Sequence, residues 1–182
     1  MLVLYRKPKK GFHSIENLFN CFNKKHKTFY LSSNLNSIYS FFKILFELLK
    51  IKEKNIHITG DVNFVSFMLF WKKTILTIHD LNYYESLNGF KKFLYGLIWF
   101  RLPLYTSNIV TVISPYTKKQ ILYHFKINEK KLIVINNHFN KIPKIKTSKS
   151  KFFTILAIGS SENKNISRLV DAISTINNIK LI

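Results

Sequence analysis

The chain alternates short apolar runs rich in β-branched residues with longer stretches whose apolar residues recur at helical spacing. The first pattern is typical of strands and the second of amphipathic helices. Up to residue 135 the predicted strands are residues 2–5, 28–31, 55–59, 74–78, 109–113 and 132–135. Strands that alternate with helices in this way predict repeated βαβ units, and therefore an α/β fold with a parallel sheet flanked by helices.

Residues 74–78 form the predicted strand on which the candidate site depends. The run lacks strict alternation, which fits a strand covered on both faces. His79 and Asp80 follow where this strand should end, and open parallel sheets bind ligands beyond the carboxyl ends of their strands. They are therefore the first candidate catalytic residues. The alternative is structural: Asp80 turns the chain and His79 is solvated.

A second polar pair, Gly60 and Asp61, follows the predicted strand over residues 55–59. Glycine at this place allows the backbone to approach a ligand closely. His57 lies between two isoleucines in the same strand, so we expect a hydrogen-bonded core or edge histidine there rather than a ligand. Two of the predicted helices have capping signals at their starts. Ser37 precedes the apolar stripe of one helix, and Ser114-Pro115 precedes the other helix.

The domain prediction follows a loss of periodicity after residue 135, where Lys, Pro, Thr and Ser collect, and its return near residue 152. We predict a Rossmann-like domain over residues 1–140, a linker over 141–151, and the first βαβ portion of a second Rossmann-like domain over 152–182. Domains below about 40 residues usually need a metal, disulfides or a partner to fold. We therefore expect this second domain to be incomplete.

Charge limits the partners, because 29 Lys and Arg residues face only 9 Asp and Glu residues. This balance favours phosphorylated small molecules, anionic lipid or nucleic acid, although AT-biased coding DNA also enriches lysine. No helix-turn-helix, RNA-binding sheet or zinc-ligand spacing supports nucleic acid as a partner. A predicted aromatic helix over residues 90–102 has Lys91, Lys92 and Arg101, which suits either contact with an anionic membrane or packing between neighbours.

The expected compartment is the cytoplasm. Cys21 is the only cysteine, so an internal disulfide is impossible and a reducing environment is expected. It falls on a predicted amphipathic helix, where a small buried residue is a more usual role than a nucleophile. No window reaches the roughly 18 apolar residues that a membrane-spanning helix needs.

Five segments come in the order and spacing seen in GT-B glycosyltransferases: residues 57–61, 77–81, 112–118, 133–137 and 155–159. The chain resembles most closely the retaining family-4 group, often called group 1. This resemblance implies transfer of a sugar from a nucleotide-sugar donor to an acceptor hydroxyl, with retention of configuration and without a cofactor or metal ion. The acceptor is expected to be a saccharide or a lipid-linked precursor of a cell-surface polysaccharide or glycolipid, so the enzyme could lie on the inner face of the cytoplasmic membrane.

The resemblance also implies roles for individual residues. His79 matches the histidine that contacts the donor sugar, and Asp80 follows it as in many members. Lys164 matches the lysine that neutralises the donor diphosphate. The remaining positions are the acceptor and donor loop, Gly11, His13, Ser14 and Glu16 with Gly60 and Asp61, and the donor diphosphate loop, Gly159, Ser160 and Asn165.

Two departures from the family pattern limit these expectations. Ser160 stands where many members have an arginine, so one diphosphate contact is expected to be absent. The acidic motif for the donor lies beyond Ile182, so we expect a truncated enzyme whose 182 residues alone transfer little sugar. The rival hypothesis is a non-catalytic basic protein that binds a membrane or a partner through the aromatic helix and the lysines.

Overall fold

A computed structural model describes residues 1–10, 14–19, 23, 25–138, 153–159 and 164–182. The chain divides into two compact units, Met1–Phe139 and Asn140–Ile182. The predicted linker over 141–151 lies outside the described residues, as do Gly11, His13, Cys21 and Ser160.

The first unit is built on a six-stranded parallel sheet with strand order β2-β1-β3-β4-β5-β6. Helices flank this sheet, so the predicted α/β class is confirmed and the architecture is consistent with a Rossmann-like fold. The strands are β1 (Leu2–Tyr5), β2 (Lys27–Tyr30), β3 (Asn55–Ile58), β4 (Lys73–Ile78), β5 (Ile109–Val112) and β6 (Leu132–Val134).

The helices described in the first unit are mostly short. They are α1 (Ser14–Leu18), α2 (Ile38–Leu49), α3 (Val65–Met68), α4 (Asn82–Ser86), α5 (Gly89–Gly96), α6 (Leu102–Thr106) and α7 (Pro115–His124), with a 3-10 turn at Glu129–Lys131. No helix in the described ranges is long and apolar enough to cross a membrane.

Both predicted capping signals are confirmed. Ser37 Oγ accepts a hydrogen bond from the backbone nitrogen of Ser40 at 3.1 Å, and Ser40 Oγ accepts one from Ser37 N at 2.9 Å, which forms a reciprocal capping box. Ser114 Oγ accepts from Thr117 N at 3.1 Å, and Pro115 occupies the first turn of α7. These caps fix where the two helices begin relative to the sheet.

The helix predicted over residues 90–102 is observed, and a π-helical segment, Leu97–Arg101, lies within it between α5 and α6. Proline has no backbone N–H, so Pro103 cannot bond the carbonyl four residues earlier as a regular α-helix requires. The wider turn directly before Pro103 accommodates this missing bond.

The two faces of the sheet differ in character. On one face, strand residues such as Leu4, Ile58 and Leu76 are fully buried in the main hydrophobic core, under residues of α2, α3 and α7. On the other face, Val3 and Tyr5 form a smaller cluster with Phe19. We call these the core face and the polar face, because the polar face also holds the buried side chains of His57, Thr77 and Thr111.

The described part of the second unit is a small βαβ arrangement. Strands β7 (Phe153–Ile155) and β8 (Ile179–Leu181) pair in parallel, and α8 (Ile166–Ile173) lies between them in sequence. The strand predicted over 152–158 is longer than β7, and the helix start predicted near Asn163 lies outside the described residues. None of the described residues in this unit is fully buried, and its apolar strand and helix residues are at most partly covered.

Candidate functional site

The candidate site lies at the carboxyl edge of the sheet, where β1, β3, β4 and β5 are consecutive neighbours. Each strand delivers a polar residue just beyond its end: Arg6 after β1, Asp61 after β3, His79 after β4 and Ser114 after β5. Parallel strands place these residues at one edge, which is the usual ligand-binding edge of an open α/β sheet.

The imidazole of His79 is held by the backbone of the neighbouring strand. Its Nε2 lies 2.7 Å from the carbonyl oxygen of Thr59. A carbonyl oxygen only accepts hydrogen bonds, so Nε2 must be the protonated nitrogen. In the neutral ring this leaves Nδ1 with a free lone pair that can accept a hydrogen bond. The sequence predicted His79 as a site residue, and the structure adds its tautomer.

The backbone carbonyl of His79 is fixed as well. Thr117, which is buried in the first turn of α7, donates its hydroxyl to the His79 carbonyl oxygen at 3.2 Å. The hydroxyls of Ser114 and Thr117 are 3.0 Å apart, so the cap of α7 and the end of β4 share one hydrogen-bond network. The helix start therefore positions the histidine.

Gly60 is required by the position of His79. A Cβ atom at Gly60 would lie 2.4 Å from His79 Cδ2 and 2.8 Å from Nε2, and the φ angle of Gly60 is +105°. Both the space and the backbone conformation therefore exclude a side chain. The sequence interpretation gave this glycine the role of admitting a ligand, whereas in the structure it admits the imidazole.

Arg6 lies between two carboxylates. Its guanidinium donates to Asp61 Oδ2 at 2.6 Å, and its Nε is 3.5 Å from Glu16 Oε1. The side chains of Arg6 and Glu16 are 14% and 15% exposed, whereas that of Asp61 is 56% exposed. Two negative charges around one positive charge suit the recognition of hydroxyl donors better than the recognition of phosphate. Asp61, at a φ of +61°, is the member that solvent and ligands can reach.

Asp80 has a local structural contact. Its Oδ1 accepts a hydrogen bond from the backbone nitrogen of Asn82 at 3.0 Å, which is a turn that leads the chain into α4. The residue is exposed, and in the described part of the chain no hydrogen bond joins its carboxylate to the imidazole of His79. The assignment of Asp80 as a catalytic partner stays a prediction.

Tyr95 is a site neighbour that the sequence analysis missed. Burial raises the pKa of its hydroxyl well above the usual value, and the charges of Asp61, Tyr83 and Asp80 raise it further. Its ring contacts Tyr83, with centroids 5.0 Å apart, and stacks on Trp99 at 4.9 Å. The charges of Asp61 and Asp80 therefore act on the phenol of Tyr95 in helix α5. In the sequence, the only sign of this was that α5 follows shortly after the His79 loop. Arg6 was missed because it looked like part of a basic terminal run.

A buried polar chain lies behind the site on the polar face. His57 Nε2 is 2.8 Å from Thr77 Oγ1, which is 2.7 Å from Thr111 Oγ1. Burial lowers the pKa of His57 to about 4, and the charges of His79 and His26 add to this effect. His57 is 8% exposed, so the expectation of a hydrogen-bonded core histidine is confirmed.

In the second unit, Gly159 and Lys164 are brought together. A Cβ atom at Gly159, which has a φ of +127°, would lie 2.7 Å from Lys164 Cγ. Asn165 adopts the left-handed conformation directly before α8. The lysine stem therefore packs on the glycine backbone at the end of β7, close to the start of a helix. The roles predicted for these residues toward a diphosphate stay predictions, as does that of Ser14 at the start of α1.

Comparison with known proteins does not assign the chain to a family. No family model matches the chain, and no curated protein matches its sequence. Over the described ranges, no group of three or more His, Cys, Asp or Glu side chains could hold a metal ion. The fold and site define an α/β protein with a Rossmann-like parallel sheet and a histidine and carboxylate site at its carboxyl edge.

Proposed function

We propose that this chain belongs to a glycosyltransferase that transfers a sugar from a nucleotide-sugar donor to a saccharide or lipid-linked acceptor. The observation that carries the proposal is the seating of His79: its ring occupies the space that Gly60 leaves, and Thr59 fixes its tautomer. Fixing the orientation of this ring adds little to the stability of the fold. It does place Nδ1 of His79, a hydrogen-bond acceptor, in a defined position, which a binding site requires.

The proposed roles follow from the polar groups at the edge. Nδ1 of His79 accepts a hydrogen bond from a sugar hydroxyl, and the exposed carboxylate of Asp61 accepts another. Arg6, which also pairs with Glu16, holds Asp61 in place. Hydroxyl recognition by acceptors of this kind is the chemistry that a saccharide requires.

The donor diphosphate is assigned in this proposal to the loop of the second unit. Lys164 supplies a point charge, and its stem packs on the backbone of Gly159, where a Cβ atom would lie 2.7 Å from Lys164 Cγ. Asn165 and Ser160 complete the proposed loop, and no metal ion or other cofactor takes part. Transfer on the inner face of the cytoplasmic membrane, for cell-surface polysaccharide or glycolipid synthesis, would suit a lipid-linked acceptor.

The test is a pair of binding titrations, one with a panel of nucleotide sugars and one with the matching nucleoside diphosphates. His79→Ala should weaken binding of the nucleotide sugar about five- to tenfold, the usual effect of one lost hydrogen bond, and leave the diphosphate unaffected. Lys164→Ala should weaken both ligands. Lys119→Ala, an exposed lysine on α7, is the matched control and should change neither.

The proposal fails if no nucleotide sugar binds, or if His79→Ala binds both ligands as the unmodified chain does. A rival function as a non-catalytic membrane or partner binder has its own support, because Phe90 and Phe93 on α5 are 76% and 60% exposed. In that case binding to anionic vesicles would survive both His79→Ala and Lys164→Ala, while nucleotide sugars would not bind.

A further inference from the structure

Helix α2 is apolar on two sides, although only one of them contacts the sheet. Ile44 and Leu48 are fully buried in the main core. On the outward side, Ile38 is 74% exposed, Phe42 50% and Phe46 63%. A surface helix of a globular protein normally places polar residues on this side, so the outward side of α2 is adapted to contact something apolar.

The outward residues form a continuous stripe. At 100° per residue, Ile38, Phe42, Phe46 and Leu49 fall within a roughly 80° arc, and their Cα atoms extend over roughly 17 Å of helix. Leu49 is 56% exposed. The capping box at Ser37 and the buried residues on the inner side hold this helix rigidly, so the stripe is presented as one surface.

Basic and aromatic residues continue this surface at the end of the helix. Lys43 and Lys50 are exposed beside the stripe. Lys72 Nζ donates to the carbonyl oxygen of Ile51 at 2.9 Å, which joins the end of α2 to the start of β4. An open cavity of about 420 Å³ begins there, and its lining residues are Lys54, Asn55, Trp71, Lys72 and Lys73.

The aromatic side chains beside this cavity are unusually open. Trp71 is 45% exposed and Phe70 is 70% exposed, and their rings meet edge to face with centroids 5.1 Å apart. Tryptophan is favoured at membrane interfaces, where one part of the ring is apolar and the other is wet. Lysines that surround such a ring can contact lipid phosphates.

We propose that the outward stripe of α2 and the cavity around Trp71 form one docking surface for an anionic membrane. The helix lies in the plane of the interface with its stripe among the acyl chains, and Lys54 and Lys73 contact lipid phosphates. Charge selects this occupant over a protein partner, because interface cores are depleted in lysine and the chain has a net charge of +20. The proposal is independent of the sugar-transfer proposal, since none of its residues lies at the carboxyl edge of the sheet.

The first test is sedimentation with phosphatidylcholine vesicles prepared with and without phosphatidylglycerol. The unmodified chain should bind the anionic vesicles and not the neutral ones. The double variant Phe42→Ser, Phe46→Ser should bind them about tenfold or more weakly, because apolar area is no longer inserted. The matched control Phe90→Ser, Phe93→Ser removes two exposed phenylalanines from α5 and should leave binding unchanged.

A second, charge-based variant keeps the test decisive if the first variant folds poorly. Lys54→Glu with Lys73→Glu should weaken binding by roughly thirtyfold or more, because each lysine near an anionic surface adds about one kcal/mol and each glutamate is repelled by it. Lys119→Glu with Lys126→Glu alters two exposed lysines elsewhere and should have a much smaller effect.

Three results would overturn the proposal. The first is equal binding to neutral and anionic vesicles. The second is loss of binding in the α5 variant with full binding in the α2 variant, which would place the contact on α5. The third is a dimer in sedimentation equilibrium that Phe42→Ser, Phe46→Ser dissociates, which would identify a second copy of the chain as the occupant.

Discussion

The two faces of the central sheet are covered in different ways. On the core face, strand residues such as Ile58, Leu76 and Val110 have no exposed surface and pack against several helices. On the polar face, strand residues include a histidine and two threonines joined by hydrogen bonds of 2.8 and 2.7 Å. The same six strands thus support an apolar interior on one side and a hydrogen-bonded interior on the other.

The two faces therefore differ in how they stabilise the fold and in how they respond to pH. Apolar burial stabilises the fold without requiring a particular orientation of the groups in contact. This contribution does not change with pH, because no apolar side chain can titrate. A buried histidine costs free energy unless it is hydrogen-bonded, and it makes the fold sensitive to acid. The candidate site lies at the end of the polar face, since His57 and His79 both make edge contacts with Phe19, at centroid distances of 5.1 and 6.4 Å.

The first of two large effects is expected on the core face. Leu76→Ala removes a fully buried side chain from the middle strand and should lower the free energy of unfolding by about 3 kcal/mol, through lost transfer energy and the cavity left behind. Denaturant unfolding measures this loss. Ile38→Ala, at a residue that is 74% exposed, should change it by less than about 0.5 kcal/mol. A loss below about 1 kcal/mol for Leu76→Ala would contradict the description of this face as the main core.

On the polar face, acid should destabilise the protein through His57. The pKa of this histidine falls from 6.5 in the unfolded chain to about 4 in the folded one, so between these values the unfolded chain takes up a proton that the folded chain does not. The stabilising contribution is therefore complete above pH 6.5 and is lost as the pH falls toward 4. We expect the loss from pH 7 to pH 4 to be roughly 3 kcal/mol.

The measurement is the free energy of unfolding across this range for the unmodified chain and for His57→Gln. Every other ionisable group is present in both proteins, so the difference between the two curves isolates His57. The amide of glutamine can still bond Thr77, so the variant should fold and lose less stability on acidification. Parallel curves would mean that His57 is not held neutral by the polar face.

The smallest of the three effects is expected at the edge of the polar face. Gly60→Ala should cost about 2 kcal/mol, because the methyl group would collide with the His79 ring in a left-handed backbone conformation. Gly89→Ala is the matched control: its φ is +56°, but nothing lies within 4 Å of a Cβ there. It should cost about 1 kcal/mol from the backbone alone. Equal losses would show that the imidazole moves away without cost.

Much of the fold could be predicted because each strand was a separate apolar run between helical patterns. The strands at residues 2–5, 55–58, 73–78 and 109–112 follow the predicted segments closely. The π-helical segment was not predicted, because the apolar pattern of residues 90–102 gives no sign of it and the missing N–H of Pro103 acts one turn earlier in the chain. The exposed stripe of α2 was not predicted either. Periodicity alone cannot tell which side of a helix with apolar residues on two sides meets the sheet.

The site was predictable only where a strand end marked it. His79 and Gly60 follow strands directly, and strand ends of a parallel sheet meet at one edge. The contact between them depends on the register of β3 with β4, which no local pattern reveals. The charges of Asp61 and Asp80 act on the pKa of Tyr95 from other elements, so this relation follows from tertiary structure alone.

The bond from His79 to the Thr59 carbonyl has a consequence for any proton transfer at this edge. The same N–H satisfies that carbonyl whether the imidazole is neutral or cationic, so a proton can arrive at Nδ1 and depart again without breaking an attachment to the backbone. The ring therefore keeps one orientation through a full cycle of charge. A hydrogen-bonding group that is held in one orientation presents the same geometry to every ligand that reaches it.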